Sequence, residues 1–267
     1  MKRQILWALV VLLTAAGGYC GYRYYSETYL PEKQIADADS SQRELFDRIK
    51  PDLTETQPKT EHTADNDSAG DTEETEETTP NPLADLLAVN DEAVGWITVP
   101  GTNIDFAIAQ AADNDFYLHN GFDKTYNYEL GCPFLDYRCK DGFNGFNSVV
   151  YGHHMTGRRM FADISFFKDS NFMISCPTGT LLTENGQYTV RFFAYMTVSS
   201  DDYVYHVDFD TASEKEEYLD YLFDKANYTM NFSSDELKEN EDLRLLLLST
   251  CTYEYWAARG VLVGVIE

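Results

Sequence analysis

The chain has 267 residues, enough for one substantial domain plus extensions. Its formal net charge of -25 argues against a nucleic-acid partner, because phosphate binding needs clustered Lys and Arg. With 43% hydrophobic and 14% aromatic residues it can build a core, while its five cysteines, none in a C-x-x-C pair, are too scattered for a disulfide scaffold or a zinc site.

Met1-Lys2-Arg3-Gln4 is a short basic head, and residues 5–25 form an apolar run of about the 20 residues that a spanning helix needs. Lys2 and Arg3 put the head in the cytoplasm by the positive-inside rule, with Arg23, Tyr24 and Tyr25 as the outer anchor, so the expectation is a single-pass membrane protein whose folded domain lies outside. The alternative is a cleaved signal peptide, but Gly21-Tyr22-Arg23-Tyr24-Tyr25 is bulky where a cleavage site needs small residues. Tyr19 argues in the same way against a lipoprotein cysteine at Cys20.

Residues 26–82 read as an extracytoplasmic stalk. Leu45, Phe46, Ile49 and Leu53 recur at helical spacing in its first half. From Thr54 to Pro82 the composition falls to Thr, Glu, Asp, Asn and Pro, which buries too little apolar surface to offset its ordering entropy and predicts an extended tether.

The folded domain is expected over 83–267. Leu83, Leu86, Leu87 and Val89 predict one short helix, and residues 94–108 two strands around Pro100-Gly101. Further strand-like runs lie at 133–137, 148–151, 180–183, 188–198, 243–250 and 261–266, a series that argues for a barrel or sandwich. One amphipathic helix interrupts it, Thr211 to Asn227, with Tyr218, Leu219, Leu222 and Phe223 on one side.

The chemistry-bearing residues fall at strand ends. Leu245 to Leu248 is a continuous apolar run, as in a strand buried on both faces, and it delivers Cys251 to its edge; Arg259 opens the next run. A thiol beside a guanidinium is a candidate nucleophile, because thiolates depend on electropositive surroundings. Of five histidines, His62 lies in the tether and His119 and His206 stand alone in loop-like sequence, leaving His153 and His154 after the apolar strand 147–151. An extended backbone points those two to opposite faces, so only one meets Cys251, and periodicity does not choose between them. Cys132 and Cys139 are close enough to pair outside a cell. No regularly spaced ligand loop calls for calcium, and no metal or organic cofactor is expected.

Taken together, Val94-Gly95-Trp96-Ile97, Pro100 to Asp105, Asp113-Asn114-Asp115-Phe116-Tyr117-Leu118, Phe134-Leu135-Asp136-Tyr137-Arg138, Tyr151-Gly152-His153-His154-Met155, Leu248-Ser249-Thr250-Cys251 and Arg259 resemble the sortases, class B most closely, in motif order and interval. The resemblance covers residues 83–267. It implies a mainly β fold, a closed eight-stranded sortase-type barrel with an N-terminal helix and a long helix before the cysteine strand. It selects His153, the first histidine after the glycine, with Cys251 and Arg259 as catalytic partners, and leaves His154 a neighbour without a role. Substrate-groove positions map onto Asn114, Leu118, Ser249 and the 199–204 stretch, with Ser199 and Tyr203 as candidates. Leu247, where the family often has threonine, and Cys132-Pro133 depart from the pattern.

The implied activity is a cysteine transpeptidase of a Gram-positive cell surface. It would cleave surface proteins after the threonine of an LPxTG-like or NPxTx-like sorting motif and pass the acyl group to an amine of the peptidoglycan precursor or crossbridge. Alternatives are a pilin-polymerising sortase, a cysteine hydrolase using water, and a non-enzymatic wall scaffold.

Overall fold

The computed structural model describes residues 2–53, 81–252, 254 and 256–267. The acidic tether, with His62, lies outside the described residues except for its last two positions. Two helices lead the chain, α1 (Lys2–Tyr24) and α2 (Leu30–Ile49), joined by a π-helical turn at Tyr25–Tyr29. The N-terminal helix is long and apolar enough to cross a membrane, and Leu6, Trp7, Leu12 and Leu13 are exposed on it.

After the short helix α3 (Ala84–Leu87) come β1 (Ala93–Thr98), β2 (Asp105–Ala109), α4 (Phe116–His119), β3 (Phe134–Leu135) and β4 (Asn147–Tyr151). A small hairpin, β5 (His154–Met155) and β6 (Arg159–Met160), precedes α5 (Ser170–Ser175), β7 (Thr178–Thr183) and β8 (Gly186–Ser199). The chain ends through α6 (Ala212–Lys225), β9 (Tyr228–Thr229), α7 (Ser234–Lys238), β10 (Leu245–Cys251) and β11 (Ala258–Ile266). Strand order β11-β10-β4-β3-β2-β1-β7-β8, with β8 pairing back onto β11, closes an eight-stranded mixed barrel. Closure leaves no open edge among those strands.

The four leucines of β10 show why this strand reads as an unbroken apolar run. Successive side chains alternate between faces. Leu246 and Leu248 join the core that runs through the barrel, whereas Leu245 and Leu247 pack with Val261, Val263 and Val265 beneath Tyr218, Leu219 and Leu222 of α6. Thr211 caps α6 reciprocally with Glu214, so the helix starts where the sequence places an Asp or Thr cap.

A stripe at helical spacing docks α2 onto the barrel. Phe46 and Ile49 are buried in the barrel core, with Ile35, Ala38 and Leu45 packed against it. The Phe46 ring lies edge-on to Trp96, Phe106 and Phe122 at centroid distances of 5.5, 5.9 and 5.8 Å. Lys50 then pairs with Asp105 on β2.

Cys132 and Cys139 are both buried free thiols, so the pairing that their spacing allows does not form. Each thiol hydrogen-bonds a different carbonyl, Cys132 toward Ala107 and Cys139 toward Asn147.

Candidate active site

β10 ends at Cys251 and β11 returns from Ala258, and their antiparallel register pairs Cys251 with Arg259. Directly paired residues project from one face, so thiol and guanidinium stand side by side. Alternation along β10 puts Cys251 on the same face as Leu245, Leu247 and Ser249, the face that α6 covers. The cover ends at a single helical turn, Tyr203–Tyr205, where the Tyr205 hydroxyl and Ser249 Oγ meet at 2.9 Å. Beyond that contact Cys251 and Arg259 are half-buried, open to a substrate at the strand end.

The histidine arrives on the neighbouring strand. β4 runs parallel to β10 with Ser249 beside Tyr151, and the Gly152 amide donates to the Ser249 carbonyl at 3.0 Å. The strand pairing ends there, and His153 follows in the short connection between β4 and β5. The His153 Nε2 lies 2.8 Å from the Leu118 carbonyl. A carbonyl only accepts, so Nε2 carries a proton and Nδ1 is the nitrogen left for proton exchange. His154 has different surroundings: with Ser165, Lys168, Thr252 and Glu254 it lines a cavity of about 270 Å³. Burial holds its imidazole below the usual histidine range.

The remaining predicted positions divide. Leu118 meets the histidine through its backbone, and its half-buried side chain packs on the core. Ser249 is 1% exposed and already bonded to Tyr205. Asn114 Oδ1 accepts from the Tyr137 amide at 3.1 Å, bracing the loop after β3. Ser199 bonds Asp201. Tyr203 stacks on His206 at 5.1 Å and contacts Tyr218 and Tyr221, so it belongs to the α6 side of the groove. Sequence reading missed Tyr205, the tyrosine that reaches the cysteine strand. Nothing in Asp202-Tyr203-Val204-Tyr205 distinguishes the two before the turn is folded.

An ion pair between a buried carboxylate and a half-buried arginine supports this corner. Asp136 is fully buried and receives Arg138 through Nε at 3.0 Å and Nη2 at 2.7 Å, and the Tyr151 hydroxyl at 3.0 Å. Burial alone would raise its carboxyl, but these bonds prevail and hold it below the usual carboxylate range. Arg138 also donates to the Tyr205 carbonyl at 3.0 Å, which ties the Asp136-Tyr137-Arg138 motif to the turn over Ser249. Burial pushes the Tyr205 and Tyr151 phenols well up, so both stay neutral hydrogen-bonding groups at physiological pH. Burial likewise raises the Cys132 thiol, and Cys139 to about 11, so neither is a thiolate at neutral pH. Among the described residues no cluster of metal-ligating side chains occurs.

The closed barrel and the cysteine–arginine ribbon define a class that comparison with known proteins makes specific. The chain is 34% identical over 184 residues to sortase B of Listeria monocytogenes, covering 68% of this chain and 72% of that protein. The structure matches that of Clostridium perfringens sortase B with a TM-score of 0.61 at 32% identity, covering 68% of this chain and 97% of the other. It also matches a Streptococcus pyogenes class B sortase involved in pilus biogenesis, with a TM-score of 0.60 at 28% identity over 68% and 96% of the two chains. No protein-family model matches the chain. The chain belongs to the class B sortases and is a cysteine transpeptidase. The scaffold alternative therefore falls, because the family is one of enzymes.

Proposed function

We propose that Cys251 is the nucleophile, His153 the proton-transfer group and Arg259 the oxyanion partner of a transpeptidase that cleaves surface proteins within a C-terminal sorting motif. The observation that supports this reading is the register that pairs Cys251 with Arg259, on a strand whose parallel neighbour β4 ends two residues before His153. The thiolate attacks the carbonyl of the motif's threonine. Arg259 stabilises the charge that develops on that oxygen, and His153 protonates the departing amine. The thioacyl enzyme then waits for an amine. His153 removes a proton from the incoming cell-wall amine as it attacks, and the thiolate leaves. A motif of LPxTG or NPxTx type fits this sequence of steps.

In this reading α1 anchors the enzyme in the membrane with residues 1–4 in the cytoplasm and 83–267 as the catalytic domain outside, joined by the 26–82 stalk, whose helix α2 docks on the barrel. The basic Lys2-Arg3 head and the exposed apolar surface of α1 support it. Asn114, Leu118, Ser199, Tyr203 and Ser249 remain the proposed groove positions, joined by Tyr205.

The test uses the full chain in detergent, because α2 is part of the core and a cut at Pro82 would remove it. Mass spectrometry after incubation with peptides of each motif type should show an acyl adduct on Cys251. The adduct should disappear in Cys251→Ala and become ligated product when a glycine or diaminopimelate amine is added. An adduct that water alone releases, with no ligation by any amine, would replace transfer with hydrolysis. The relative involved in pilus biogenesis favours one second reading, in which a pilin lysine is the acceptor. Ligation to a lysine-bearing peptide in preference to glycine would select it.

A further inference from the structure

Of the residues that α2 buries against the barrel, one does not belong to an apolar contact. Gln42 falls in the stripe with Leu45, Phe46 and Ile49, yet it is 7% exposed and carries an amide. Burying an amide is costly unless both ends are bonded, and an apolar residue of the same length would dock the helix equally well. Its partners supply a reason for its presence. Gln42 Nε2 donates to the Gly131 carbonyl at 3.3 Å, and its Oε1 accepts from Asn127 Nδ2 at 3.2 Å. Asn127, 9% exposed, closes on the same glycine: its Nδ2 donates to the Gly131 carbonyl at 3.0 Å and its Oδ1 accepts the Gly131 amide at 2.9 Å. Two side-chain amides thus grip one glycine, one of them at both its amide and its carbonyl.

That glycine is the wall of the histidine's seat. Gly131 has φ +68°, and a Cβ there would stand 2.7 Å from the Tyr117 carbonyl, 3.0 Å from the Leu118 carbonyl and 3.0 Å from His153 Cδ2. Only glycine lets the loop come this close to the imidazole. The Cys132 amide donates to the Tyr117 carbonyl at 3.0 Å, joining the wall to the segment whose Leu118 carbonyl holds His153 Nε2. α2 also reaches the other side of the histidine. Arg159 of the β5–β6 hairpin bonds Glu32 at 3.0 Å and lies 3.7 Å from Asp39, and the Phe161 amide after the hairpin donates to the His153 carbonyl at 2.9 Å.

We propose that Gln42 is a positioning residue for His153, acting through Asn127 and Gly131 to fix the tautomer and place of the imidazole. The inference rests on His153 being the proton-transfer group. Loosening the clamp lets the Leu118 carbonyl drift from Nε2, and the proton is then shared between the two ring nitrogens.

The test takes the full chain in detergent with Gln42→Met, which keeps length and docking but loses both bonds, and Gln42→Glu, which sets an acceptor against the Gly131 carbonyl. Both should lower kcat about tenfold, as a fraction-of-an-ångström misplacement does, with KM within about twofold. Thermal melting should show Gln42→Met as stable as the parent, and ¹⁵N-histidine spectra should show His153 passing from the Nε2-protonated form to a mixture. Unchanged kcat and an unchanged tautomer overturn the proposal, as does a loss of activity that only follows the unfolded fraction. Cys251→Ala and His153→Ala serve as controls. Activity surviving in either overturns the catalytic reading itself, whereas inactive controls beside wild-type-like Gln42 variants overturn only the role of Gln42. If no peptide tried is turned over, the tautomer signature alone decides.

Discussion

The cysteine and the histidine of this enzyme are set in place by contacts of very different range. Cys251 and Arg259 are eight residues apart and belong to one antiparallel ribbon, so strand pairing alone brings them together. His153 sits at the end of a strand, but its seat is made of Leu118, Gly131 and Phe161 and is clamped by Gln42 from an N-terminal helix. The proposed nucleophile is a product of local register, and the proposed proton-transfer group of long-range packing. Damage to distant parts of the chain should therefore reach catalysis through the histidine.

The bluntest break is chemical. Cys251→Ala should abolish acyl-adduct formation in mass spectra while leaving the melting temperature within a few degrees, because the side chain is half-buried at a strand end.

Next comes the docking of α2. Phe46→Ala should cost about 4 kcal/mol in chemical denaturation, in line with large-to-small aromatic changes in a core. The protein that stays folded should also turn over more slowly. Leu247→Ala, under α6, should cost about 3 kcal/mol but reduce activity only with the folded fraction. Equal effects on the two turnover rates would erase the contrast between the sites.

Arg138→Met removes the counter-charge of a fully buried carboxylate and should destabilise by about 3 kcal/mol. The pH dependence follows from the lowered carboxyl of Asp136. Its contribution to stability is present above the usual carboxylate range and is lost as pH falls through the folded value, because the unfolded chain takes up the proton first. Acid titration of stability from the usual carboxylate range downward should therefore fall more steeply in the parent than in Arg138→Met.

The smallest expected effect is on the cysteine side. Ser249→Ala removes the bond to Tyr205 and should cost about 1 kcal/mol by denaturant melting, with the ribbon register unchanged.

Much of this was legible in the chain. Alternation and apolar runs located the barrel strands, and the four leucines of β10 announced burial on both faces, since only a strand covered on each side can carry them. The helix before the cysteine strand was readable from its stripe and cap. The nucleophile's ribbon was readable because a strand, a short connection and a second strand nearly dictate an antiparallel pair. Other features were not. Gln42 looked like one polar residue in a modest helical pattern, although its place in the apolar stripe was a signal. Tyr205 and Tyr203 were indistinguishable until the turn fixed which one faced Ser249. The proximity of Cys132 and Cys139 in sequence left their pairing open, and each thiol is bonded to a separate carbonyl.

What the sequence determined by itself were the elements whose partners lie nearby along the chain: strands, caps and the cysteine–arginine ribbon, where a few residues of spacing set the geometry. Tertiary structure alone decided which nitrogen of His153 is free, which tyrosine covers the cysteine strand and what a buried glutamine of α2 holds. Those choices depend on contacts that span 35 to 89 positions, as between His153 and Leu118 or between Gln42 and Gly131, and no local pattern encodes a meeting of that range.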